Sequence, residues 1–373
     1  MAGIYIHIPF CRKACNYCDF HFSTQLKVKD EMVRAILGEL EMRKDYLGDK
    51  EIETIYFGGG TPSLLSQTNL EDIFTGIYKN FRVSNMPEIT LEANPDDLNK
   101  ESIRKFKNTP INRFSIGIQS FFEEDLVWMN RSHNAKQSLQ SINELQNSGY
   151  PNLSLDLIFG FSLLSQKKWE ENIQTALHLQ VPHISTYGMT IEKGTLLGNQ
   201  AEKGKYQEIE EEIYADQYLY LMETLENAGL DQYEISNFSK PGFHSRHNSN
   251  YWNRIPYLGI GPSAHSFNGI SRSWNISNNS SYIKGIMEHS RKFEEETLTP
   301  DNHFDEYILT SIRTRKGVEI PFLESQFGRE KSINFIKKAN LINQDGLLDI
   351  HTNYIALTKK GRMVSDLLIQ KLF

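Results

Sequence analysis

Six times within its first 190 residues the chain passes through one cycle: a short β-rich run, a polar or glycine-containing loop, and a stretch with helical periodicity. The β-rich runs fall at 3–8, 53–57, 88–93, 113–118, 152–159 and 183–189, and the first alternates Ile4, Ile6 and Ile8. Helical stretches are expected at 29–47, 69–81, 100–107, 135–148 and 166–179; the first sets Met32, Ile36, Leu37 and Leu40 at helical spacing. A βα unit returns to a parallel strand through its helix, so this repetition commits the chain to the α/β class. An open doubly wound sheet and a complete or partial barrel both satisfy the pattern.

The remainder is less regular. Residues 206–226 hold seven acidic residues and no Lys or Arg, with Ile209, Ile213, Tyr220, Leu221 and Leu225 spaced for an amphipathic helix whose charged face is solvated. From 236 to about 300 the composition turns to Asn, Ser, Gly, His and aromatics, which reads as a loop-rich connector or an embedded site. Helical stretches at 303–314, 321–327 and 331–341, strands at 346–350 and 354–358, and a helix from Lys360 suggest a small winged-helix-like α+β domain. The expected division is therefore 1–235, 236–300 and 301–373. Residues 301–373 carry 11 basic and 9 acidic side chains, which favours internal or protein contact over DNA binding.

All three cysteines, Cys11, Cys15 and Cys18, stand together just after the first strand. They are too few and too clustered for a disulfide framework, which points to a reducing compartment. There is no run of 18 apolar residues and no N-terminal leader pattern, so a soluble, cytoplasmic protein is expected, with peripheral membrane contact left open. A net charge of −7, with both signs spread along the chain, gives no reason to expect nucleic-acid binding. Loops leaving the C-terminal ends of barrel strands are where active sites are built, and three thiolates there can hold three corners of a [4Fe–4S] cluster, leaving one iron open. A zinc site completed by His7 or His21 and a set of inert buried thiols are the alternatives; the spacing favours the cluster.

Later strands also end in polar residues. Gly58-Gly59-Gly60-Thr61 follows the second, Glu92 the third and Gln119 the fourth, and Asp156 lies within the fifth. A carboxylate in a near-continuous apolar strand is paired or functional, and several at equivalent strand ends converge on one pocket. Arg131 reads either as a surface cation or as a carboxylate ligand.

The Cys-x₃-Cys-x₂-Cys run after a short strand resembles the radical S-adenosylmethionine (SAM) enzymes. Tyr-Ile-His-Ile-Pro-Phe-Cys, Gly-Gly-Gly-Thr-Pro-Ser, Leu-Glu-Ala-Asn-Pro and Asp-Leu-Ile-Phe-Gly further resemble their coproporphyrinogen dehydrogenase branch over essentially the whole chain. The resemblance implies a partial (β/α)6 barrel, a [4Fe–4S] cluster on Cys11, Cys15 and Cys18, and SAM chelating the open iron. It also implies SAM-pocket roles for Tyr5, Tyr17, Gly59, Gly60, Thr61, Glu92, Gln119, Arg131 and Asp156.

That branch contains an oxygen-independent enzyme that decarboxylates coproporphyrinogen III and a group of heme chaperones. The enzyme has a fourth cysteine where this chain has Phe20, and an N-terminal extension where only ten residues precede Cys11. His247-Asn248-Ser249-Asn250-Tyr251-Trp252 resembles a heme-binding signature of the chaperones, which implies heme contacts for His247, Asn248, Tyr251 and Trp252. Imidazole can ligate heme iron and aromatic rings can pack on a porphyrin, whereas a loop histidine beside structural aromatics is the plainer reading. His244 and His265 are alternative iron ligands. The resemblance thus implies a heme chaperone serving hemoproteins such as respiratory cytochromes. The rival readings are radical tetrapyrrole chemistry, such as decarboxylation, and a non-catalytic zinc protein.

Overall fold

The computed structural model describes residues 1–373, apart from the side chain of Gln344. All six β-rich runs form parallel strands: β1 (Ala2–Ile8), β2 (Ile52–Gly59), β3 (Val83–Ala93), β4 (Arg113–Gln119), β5 (Leu153–Phe159) and β6 (His183–Gly188), paired in chain order. The expected helices lie between them, at Lys29–Met42, Gln67–Asn80, Lys100–Phe106, Ala135–Asn147 and Gln166–His178. The arc is not closed by β6 returning to β1, so the barrel is partial.

Each strand separates two chemistries, because successive side chains point to opposite faces. Ile4, Ile6 and Ile8, then Ile55, Phe57, Ile89, Leu91, Phe114, Ile116, Leu155 and Leu157, join one buried cluster with Met32, Ile36 and Leu40 of the first helix. The alternate positions Tyr5, His7, Thr54, Tyr56, Thr90, Glu92, Arg113, Ser115, Ser154, Asp156, His183 and Ser185 give the inner face a polar lining. Closed eight-stranded barrels usually fill that space with branched apolar residues.

Further strands extend both edges of the arc. β7 (Asp231–Glu234) and β8 (Asn237–Ser239) form a hairpin that adds antiparallel to β6. Residues 236–300, expected as a loop-rich connector, instead contribute β9 (Tyr257–Ile260), β10 (His265–Phe267), β11 (Ser271–Asn275) and β12 (Phe293–Thr297) to a 12-stranded sheet. Strands of three to five residues are too short to show a clear period. They are stabilised by pairing, β9 being parallel to β1. The last strand, β12, exposes Glu294, Glu295 and Glu296, and charge on an edge discourages further pairing.

Glu39 fastens this extension to the arc. Its buried carboxylate accepts hydrogen bonds from Asn275 Nδ2 (2.8 Å), Gly261 N–H (2.9 Å) and Tyr282 O–H (2.6 Å), and lies 3.3 Å from both Arg43 and Arg291. Beyond it, residues 300–373 build a separate apolar core around Ile308, Val318, Leu323, Phe335 and Ile355. Its order is that of a winged helix: helix Pro300–Ser311, β13 (Val318–Glu319), helices Ile320–Phe327 and Arg329–Ile342, then β14 (Leu348–Ile350) and β15 (Tyr354–Leu357). Backbone bonds from Ile235 N–H to Arg313 and from Arg315 N–H to Tyr233 join it to the edge of the sheet. Among the described residues no helix is long and apolar enough to cross a membrane.

Removing one member of a buried charge cluster strands the rest without compensation. Glu39→Ala is therefore expected to cost about 3–5 kcal/mol in urea unfolding and to open residues 257–297 to protease before the arc itself unfolds. A loss below about 1 kcal/mol would remove Glu39 as the fastening point.

Candidate functional site

The cysteine loop leaves β1 and is tied at its neck, where Ser23 N–H donates to Pro9 and Cys11 N–H to Ser23. Its far side docks on the segment after β4: Asn16 N–H bonds the Met129 carbonyl and Asn130 Nδ2 bonds that of Ala14. The thiols are free and half-buried. Thr61 Oγ1 donates to Cys11 Sγ at 3.5 Å, and Arg131 Nη1 to Cys15 Sγ at 3.3 Å. Burial pushes Cys18 up to about 12 and raises Cys11, so metal binding has to displace thiol protons.

The glycine run at the end of β2 carries the loop. Gly60 N–H donates to Ile8 and Thr61 N–H to Phe10. A Cβ on Gly60 would stand 2.6 Å from the Phe10 carbonyl and 2.7 Å from that of Ile8, so only glycine permits this approach. Gly59 N–H and Tyr56 O–H donate to the two oxygens of Glu92, at 3.2 and 2.7 Å. Burial, then the charge of Asp156, pushes Glu92 up to about 7 against those bonds. Burial also pushes Asp156 up to about 6, against hydrogen bonds that include one from Ser115 Oγ at 3.1 Å.

Two further groups have capacity to spare. Gln119 ends β4 with φ +65°, at a shift of register against β5, and its Oε1 is buried without a partner. Arg131 turns inward: Nη2 donates to Asn94 Oδ1 (2.6 Å) and the Gly117 carbonyl (2.9 Å), Nη1 also meets Tyr17 O–H (3.4 Å), and Nε has no partner. The structure thus gathers Tyr17, Gly59, Gly60, Thr61, Glu92, Gln119, Arg131 and Asp156 at one mouth, with Tyr5 a layer deeper, stacked on Tyr56 at 6.1 Å. Asn94, which links Thr61 to Arg131, was not singled out from the sequence, although it lies in the Leu-Glu-Ala-Asn-Pro run. Arg113, fully buried in the lining with Nε and Nη2 unpartnered, carried no sequence signal beyond being a cation in an apolar strand.

The histidine motif forms the helix Arg246–Trp252, begun by Ser245 as its cap and by Glu88, which accepts from Arg246 N–H (3.0 Å) and His247 N–H (2.9 Å). His247 points into the arc and is only 2 % exposed. Nδ1 bonds Thr54 Oγ1 (2.8 Å), Nε2 bonds Tyr251 O–H (2.9 Å), and the ring stacks on Tyr56 at 5.0 Å. Burial lowers it to about 3, so it is neutral, yet neither nitrogen has a lone pair free for iron. To ligate iron the imidazole would have to exchange its hydrogen bond with Thr54 or with Tyr251. Asn248 and Trp252 are half-buried. His244 is exposed and stacks on Tyr233, and His265 stacks on Trp274.

A partial (β/α) barrel with three thiols at its first strand end and a glycine cradle at its second is the arrangement of the radical SAM superfamily, whose model matches residues 5–176; a model described as the HemN C-terminal domain matches 298–364. The chain belongs to the heme chaperone HemW family within that superfamily. It is 32% identical to "Heme chaperone HemW" of Bacillus subtilis (strain 168) over 369 residues, 98% of this chain and 97% of that one. It is 31% identical to the protein of the same name from Lactococcus lactis subsp. lactis over 98% of this chain and 96% of that one. A solved structure of coproporphyrinogen III oxidase (HemN) from Escherichia coli, 19% identical, matches with a TM-score of 0.86 over 100% of this chain and 90% of that one, a likeness of fold. Membership of the superfamily implies a [4Fe–4S] cluster and SAM.

The raised carboxyls make stability depend on pH. Glu92 holds its proton more tightly folded than unfolded, so its contribution is complete below 4.5 and is lost as pH rises through about 7. Glu92→Gln has no charge to desolvate, so its melting temperature relative to the unsubstituted protein is expected to rise between pH about 5 and about 8. Parallel melting curves across that interval would contradict the burial argument.

Proposed function

We propose that this protein is a heme chaperone that binds heme and passes it to hemoproteins such as respiratory cytochromes. The observation that carries the reading is similarity to proteins named heme chaperones along essentially the whole chain, the C-terminal domain included. Phe20, 66 % exposed at the edge of the cysteine loop, supports it, because the decarboxylating enzyme would be expected to have cysteine at that position.

Cys11, Cys15 and Cys18 would hold the cluster and leave one iron for SAM. When bound, the pair supplies one-electron reductive chemistry. Arg131 has a guanidinium nitrogen to spare for the SAM carboxylate, and Gln119 and Asp156 suit ribose hydroxyls. Glu92, poised near neutrality beside the Gly59 N–H, suits the amino group and can hold or release a proton there. Within this reading, 1–235 is the cofactor-binding core, 236–300 presents the histidine motif and 301–373 faces the recipient.

Anaerobic reconstitution, followed by heme titration and a coproporphyrinogen assay on the same sample, tests the function. Heme uptake without protoporphyrinogen formation is expected; turnover without heme uptake would overturn the chaperone reading. Cys15→Ala is expected to lose the cluster's iron, labile sulfide and visible absorption, and a variant that keeps them would defeat the ligand assignment.

A further inference from the structure

The loops that leave the first four strands meet at two adjacent carboxylates, Asp96 and Asp97, in the turn Pro95–Asp97 that follows β3. Asp97 is buried. From the cysteine loop, Arg12 Nη2 and Nε donate to its Oδ1 at 2.6 and 3.0 Å. From the turn Pro62–Leu64, which continues the glycine run, Ser63 Oγ donates to its Oδ2 at 2.9 Å. Asp96 extends the junction to the segment after β4: its Oδ1 accepts from Ser132 Oγ at 3.0 Å, and its Oδ2 lies 3.7 Å from Arg12 Nε.

Every partner of this junction stands beside a group already placed at the mouth. Arg12 follows Cys11 directly, and Ser132 follows Arg131. Ser63 stands two residues after Thr61, which donates to Cys11 Sγ. The Asn94 carbonyl accepts from Asp97 N–H at 3.0 Å, and the Asn94 side chain joins Thr61 to Arg131. An ion pair between two exposed side chains would fix little. Here only Arg12 is exposed, while Asp97 is buried with both oxygens engaged, so its charge-assisted bonds hold one geometry. Loss of Arg12 would leave that carboxylate with a single hydroxyl for partner.

We propose that Arg12 and Asp97 are a pair of positioning residues for the cofactors: they keep Cys11 in register with the glycine run and with Arg131, and SAM binding at the cluster depends on that register. The proposal rests on the reading of Cys11, Cys15 and Cys18 as cluster ligands and of the mouth as the SAM pocket. The pair acts through Cys11, Thr61 and Asn94. Both Arg12 bonds end on one oxygen, so a single ammonium can take their place, unlike at a site where two parallel bonds are needed.

The test reconstitutes the full-length protein anaerobically, reduces it and titrates SAM, following the electron paramagnetic resonance signal of the cluster. SAM is expected to change the wild-type signal. Arg12→Ala is expected to melt as an apoprotein like wild type and to take up iron, but to need at least about tenfold more SAM for the same spectral change. Arg12→Lys should restore most of that affinity. Asp97→Asn removes the charge without leaving it stranded, so the double variant should be no weaker than Arg12→Ala alone. Wild-type protein that takes up no iron, or whose signal ignores SAM, overturns the cofactor reading and this pair with it. A responsive wild type matched by Arg12→Ala in SAM affinity and signal overturns the pair alone. So does an Arg12→Ala apoprotein without a folding transition, which would make the contact one of general stability.

Discussion

The register of six parallel strands is the constraint on which the site depends. A slip of one residue would turn Ile55, Phe57, Ile89 and Leu91 toward the interior and push Tyr56 and Glu92 under the helices. Burial of the apolar face against the helices therefore fixes the polar face, and with it the distances among Gly59, Glu92, Asp156 and Gln119. The catalytic-type loops contribute little to that precision. They hang from strand ends whose heights are already set, and the cysteine loop is tied down by Ser23, Met129 and the glycine run.

Much of this was readable in advance. The βα cycle, the first helices and the cysteine motif are local patterns, and local patterns survive in sequence. The sheet extension at 257–297 was not readable, because its strands are short and gain their order from β1 and Glu39, more than 200 positions away in the case of Asn275. The polar lining was only partly visible. Glu92 and Asp156 stood out as carboxylates among apolar residues, whereas Thr54, Thr90, Ser115 and Ser154 look unremarkable in any strand until all face one space.

The histidine motif reaches two regions of the fold. Its spacing places His247 and Tyr251 one turn apart on a single helix face, and that face is the inner one. His247 thereby joins the wall behind the residues proposed to hold SAM, through Tyr56, whose hydroxyl donates to Glu92. Trp252 leaves the helix on the side of the C-terminal domain. One short helix therefore touches both regions, giving a physical connection between the cofactor end of the arc and the domain seam.

The parallel pairing of β1 with β9 also bears on how the chain is made. Residues 3–6 pair with residues 257–260, so during synthesis β1 keeps one edge open until β9 has followed. At typical rates of synthesis this interval is on the order of ten to fifty seconds. During it the isoleucine-bearing edge of β1 stands open to pairing with other chains, a hazard that the finished sheet removes.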